Sequence, residues 1–129
     1  MFSSIRYFLL GISFCLVADV YAGPGDTISS KTSAYKACMH EFGIGHSKVG
    51  IMPLELADSA SDHCAPIFDD LRALYNSAIE SQTASDSGST ESRRANDEAR
   101  AYLKDQVEKT LTELESVARE DVIAAAVAR

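Results

Sequence analysis

Apolar positions along the chain fall at helical spacing in three stretches, and strand-like alternation is absent beyond residue 22. In the first stretch, from about Thr32, Tyr35, Cys38 and Phe42 stand at i, i+3 and i+7 on one helix face. Gly43-Ile44-Gly45 is expected to end this helix, because glycine is unfavourable inside a helix and favoured just past its end. The residues before it, Gly23-Pro24-Gly25-Asp26 through Lys31, read as a turn-rich lead-in.

A second helix is predicted from Pro53, whose missing N–H suits a first turn, with Glu55 placed where the helix dipole favours an acid. Ala57, Ala60, Cys64, Ile67, Leu71, Leu74 and Ala78 alternate three and four apart, the spacing of one continuous seam. Pro66 removes a hydrogen bond and crowds the carbonyl of Asp62, but the seam keeps phase across it. A kink is therefore expected, and not a break. Residues 81–92 are small and polar and read as a linker.

From Arg93 to Val127 there is no glycine or proline, and strong helix formers dominate. Leu103, Val107, Leu111, Leu114, Ala118, Val122 and Ala125 step in an eleven-residue period, which favours a straight or slightly right-handed stripe. Asp105 with Lys109, and Glu115 with Arg119, add i, i+4 pairs on its flanks. At ~1.5 Å per residue such a helix reaches roughly 50 Å, more than a compact domain of this size needs. It either folds back on the first two helices or protrudes and pairs, coiled-coil fashion, with another chain. The expected class is all-α: a helical hairpin over 23–80, a linker over 81–92, and a long amphipathic helix over 93–129.

The first 22 residues have a different character. Arg6 precedes an uncharged apolar run, Tyr7 to Ala18, and Val20-Tyr21-Ala22 offers a cleavage site before Gly23, the layout of a secretory signal peptide. The run of about 12 residues is too short to span a ~30 Å hydrocarbon core. Cys15 lies within it, and no cysteine stands at the cleavage site to carry a lipid anchor. An exported protein, periplasmic or secreted, without stable membrane insertion after cleavage, is the expectation. Cys15 leaves with the signal, so Cys38 and Cys64 remain as an even pair in a compartment where disulfides persist. Closing that loop stabilises a fold by about 3–4 kcal/mol in the chain-entropy model.

The net charge of −7 survives signal removal, because Arg6 and Asp19 cancel. With Arg93-Arg94 as the one basic cluster, nucleic acid and anionic membrane surfaces are poor partners. Trp is absent, which removes any site built on its stacking.

Cys38, His40, His46, His63 and Cys64 together invite a zinc or copper reading, the alternative function considered for this chain. Helical geometry opposes it, since residues i and i+2 point about 200° apart and adjacent residues about 100° apart. A structural disulfide with solvated histidines is the simpler reading, and neither cysteine has the C-x-x-C spacing of a redox thiol. Glu55, Asp62 and Asp69, with Asp58 beside them, fall opposite the seam and read as a solvated acidic face. No nucleophile elbow, phosphate loop, zinc-protease or calcium-loop motif occurs, and Gly43-Ile44-Gly45-His46 is a lone G-x-G without a preceding strand. No catalytic residue and no cofactor is expected. The apolar C-terminus from Val122 to Ala128 is expected to be buried against the first two helices or a partner. The functional expectation is a non-catalytic protein acting through an unknown protein partner or self-association, with Leu103, Val107, Leu111 and Leu114 as the contact surface.

Overall fold

Pro24 opens the first helix directly, at the first-turn position that its missing N–H suits. The computed structural model describes residues 24–47, 50–83 and 88–128; the proposed signal segment, 1–22, lies outside them. Three helices make up the fold: α1 Pro24–His46, α2 Pro53–Thr83 and α3 Thr90–Val127. Among the described residues there is no strand. The chain is all-α, with α1 and α2 joined by a Cys38–Cys64 disulfide (Cα–Cα 6.0 Å) and a long C-terminal helix packed on both.

Cross-links along the helices fix their directions. Lys31 meets Asp70, and Cys38 meets Cys64, so α1 and α2 are antiparallel. Arg72 meets Glu108, and Ser61 meets Glu115, so α3 is antiparallel to α2. His40 meets Asp121, which leaves α1 and α3 parallel. The topology is up, down, up.

Within the lead-in predicted over 23–31, the described residues from Pro24 on are instead the first two turns of α1. Ile28 packs on the core and Thr32 donates its hydroxyl to the Ile28 carbonyl at 2.8 Å, so tertiary contact outweighs the local Gly-Pro-Gly turn signal. The predicted stop at Gly43 is also corrected, since α1 continues to His46. Gly43 is a packing notch: a Cβ there would lie 3.1 Å from Val122 Cγ1 on α3. The linker over 81–92 shrinks too, with α2 reaching Thr83 and α3 starting at Thr90 behind the Ser89 cap, which accepts from the Ser92 N–H. Thr83 sustains the last turn of α2 by donating to the Ile79 carbonyl at 2.8 Å.

α2 passes Pro66 unbroken, and the proline itself is exposed. Its buried face includes Ala57, Ala60, Cys64 and Leu71 as expected, then shifts to Ile79 and Thr83 toward its C-terminal end. Two core clusters result. The first, around the disulfide, joins Tyr35, Met39, Leu56, Ala57, Ala60, Cys64, Ala118 and Val122. The second joins Leu71, Ile79, Val107 and Leu111. Phe68 and Leu114 pack against both and make the core continuous. At the first cluster Gly43 lets α1 approach Val122 of α3 closely.

Candidate functional site

The stripe predicted to contact a partner lies inside this chain. Val107 and Leu111 are buried in the second cluster, and Leu103 and Leu114 pack against it half-buried. The physical reason is length. At ~1.5 Å per residue, the 31 residues of α2 and the 38 of α3 give rods of comparable reach, so α3 finds its apolar partner in α2. The C-terminal apolar turns are likewise covered, with Val122 buried and Ile123 and Ala126 packed on the first cluster.

The residues of the metal reading do not converge. The two sulfurs are bonded to each other and offer no thiolate. His40 reaches α3, its Nδ1 lying 2.9 Å from Asp121 Oδ2. His46 stacks on Phe42 at 4.0 Å between ring centroids, and His63 tilts against the same ring at 4.8 Å. Among the described residues, no three His, Cys, Asp or Glu side chains gather as a metal site would require. Glu55, Asp62 and Asp69 are exposed, as a solvated face requires, and Asp58 is held by Arg119.

One half-buried polar network joins α2 to α3. Ser61 donates its hydroxyl to Glu115 Oε1 at 3.2 Å, and Arg119 Nη1 donates to the Ser61 oxygen at 3.4 Å. Arg119 Nη2 also pairs with Asp58. Tyr35 of α1, 1 % exposed, stands against this group and its ring packs 5.0 Å from Phe68. Burial raises its phenol above the ordinary value of 10.0, and the Glu115 carboxylate raises it further. A phenol that holds its proton more tightly when folded contributes stability that is complete below about pH 10 and lost as pH rises through the raised value. Alkaline titration of phenolate absorbance should therefore show a late step, absent in Tyr35→Phe, that coincides with loss of helicity. A late step with helicity untouched would detach the phenol from stability.

What sequence periodicity missed is a set of exposed apolar side chains at the disulfide end. Ile51 (41 %), Met52 (63 %) and Leu54 (57 %) lie where the α1–α2 connection enters α2, and Val127 (71 %) ends α3 at the same end. Ile44, in the last turn of α1, is exposed to 39 %. The available signal was the run Ile51-Met52-Pro53-Leu54, apolar residues in a short connection where polar ones are usual. Around it all three histidines of the chain, His40, His46 and His63, are exposed. No described helix is long and apolar enough to cross a membrane. Comparisons of the chain with protein-family models, with curated proteins and with solved structures each find no match.

Proposed function

We propose that this is an exported, non-catalytic helical protein that acts by binding another protein through the disulfide end of its bundle. The observation that carries the reading is the exposure of Ile51, Met52, Leu54 and Val127 together at one end, while the long apolar stripe of α3 is covered. Exposed apolar groups of this size gathered in one place mark an interaction site more often than a plain surface. The signal-like residues 1–22 and the Cys38–Cys64 bridge support an oxidising, exported location.

A photo-crosslinking residue at position 52 tests the binding face, with position 102 as its control, because Tyr102 is equally exposed but lies toward the N-terminal half of α3. In the exported fraction of the host, position 52 yields a discrete adduct and position 102 does not. Equal labelling from both positions, or none from 52, would remove the reading. The intact mass of the same material should begin at Gly23 and gain alkyl groups only after reduction. A chain retaining residues 1–22, or one with free thiols, would refute export.

A further inference from the structure

We infer that the first turns of α3 form a self-association surface, on which a second copy of this chain seats its own first turns of α3 in the antiparallel sense. The inference stands apart from the binding role proposed for the disulfide end. Arg100 reaches Glu80 and Thr83, and α2 ends at Thr83, so the turns of α3 from Thr90 to Ala99 project past the end of α2. Ser92, Asn96 and Arg100, half-buried, continue the line of α3 that faces α2. Thr90, Arg94, Asp97 and Ala101 are exposed along another side of the helix, with Arg93 and Glu98 on the two flanks of that stripe. All six line one surface concavity. The side chains of Arg94, Asp97 and Glu98 are 83 %, 72 % and 70 % exposed, so the stripe is open to a partner. Tyr102, about 100° further round than Ala101, lies off it.

The charges on this stripe are self-complementary. Arg94 and Glu98 lie on one flank, Arg93 and Asp97 on the other, each an arginine followed four residues later by an acid. A two-fold axis between Ala95 and Asn96 sets each flank beside the same flank of an antiparallel second copy. Arg94 then meets Glu98 of the second copy and Arg93 meets its Asp97, each contact made twice by symmetry. A parallel pair would instead set Arg93 beside Arg94 and Asp97 beside Glu98, like against like. Within one chain these groups are held loosely. Arg93 has no ion-pair partner among the described residues. Arg94 and Glu98 meet each other across one turn at 3.1 Å, a solvated pair that gives up little when it exchanges partners. Asp97 meets Arg100, which Glu80 also holds. From Thr90 to Ala101 the acids Glu91, Asp97 and Glu98 are balanced by Arg93, Arg94 and Arg100, in a chain whose net charge is −7. A second copy therefore approaches this segment without net local repulsion.

The test is sedimentation equilibrium of the oxidised protein between about 10 µM and 1 mM, where a short polar helix contact should hold a weak dimer with a Kd of about 0.1 mM at low salt. Between roughly 50 and 500 mM salt the dimer should weaken about tenfold or more. Arg94→Glu alone and Glu98→Arg alone each set like charges together across one flank. Each should weaken self-association about tenfold, with circular dichroism unchanged. An equimolar mixture of the two variants restores opposite charges across that flank and should recover the native affinity, now as a heterodimer. Both variants break the Arg94–Glu98 pair inside a chain, so a merely local effect would not recover on mixing.

A protein still monomeric at about 1 mM in low salt would overturn the inference. Variants that weaken the dimer but fail to recover on mixing would overturn the antiparallel pairing. Self-association indifferent to both variants, yet lost in Met52→Asp with Leu54→Asp, would overturn it in favour of the disulfide end.

Discussion

Removal of the Cys38–Cys64 bridge is expected to lower the unfolding free energy by about 3–4 kcal/mol, checked on Cys38→Ser with Cys64→Ser by thermal and denaturant unfolding. The bond closes a sequence separation of 26 residues, and its main effect is on the unfolded chain, which loses the freedom to separate α1 from α2. Both cysteines belong to the core, Cys64 fully buried and Cys38 packed against the same cluster, so the serine pair also places polar atoms there. At about 4–8 °C per kcal/mol for a domain of this size, a fall in Tm on the order of 15 °C follows. A double variant melting within a degree or two of the native protein would show that helix packing alone holds the hairpin.

Leu111 gives the second large effect. It is 1 % exposed and sits with Leu71, Ile79 and Val107, so Leu111→Ala should destabilise by about 2–5 kcal/mol through lost contacts and the cavity left behind. Leu111→Asp places an unpaired charge in the same site and should prevent folding altogether. Val117→Asp, on an exposed position of the same helix, should shift stability by no more than about 0.5 kcal/mol. Circular dichroism with light scattering separates this from an interface role. Were Leu111 an intersubunit contact, Leu111→Asp would leave a helical protein of lower mass.

The seams of α2 and α3 are legible in the sequence because both are long, apolar at regular spacing and strongly helix-forming. The disulfide pair is legible as well, because the expectation of export leaves Cys38 and Cys64 as an even pair on apolar stripes. What periodicity cannot supply is the identity of the surface that a stripe meets. Leu103 to Leu114 read equally well as a partner face until the full lengths of α1 and α2 are known, and both were read short. The beginning of α1 was hidden because Gly23-Pro24-Gly25 carries strong local turn signals while Ile28 is anchored by distant residues of the second cluster. Gly43 was misread for the same reason, since only its neighbour Val122, far along the chain, explains why no side chain is present. The exposed Ile51 and Met52 lie in a connection too short to show any period, and Leu54 lies in the first turn of α2.

The single bridge also divides the molecule by covalent topology. A peptide bond cut anywhere between Cys38 and Cys64, including the connection from Ser47 to Met52, leaves both pieces tied through sulfur. Such a nick at the exposed end changes the electrophoretic pattern only after reduction. A cut between Thr83 and Thr90 has the opposite outcome, because no covalent tie joins α3 to the hairpin there. The third helix then stays only through its buried stripe and its ion pairs, and it becomes a dissociable, exchangeable segment. Under proteolysis the chain is therefore tolerant of cuts at the end that exposes Ile51, Met52 and Leu54 and vulnerable at the other.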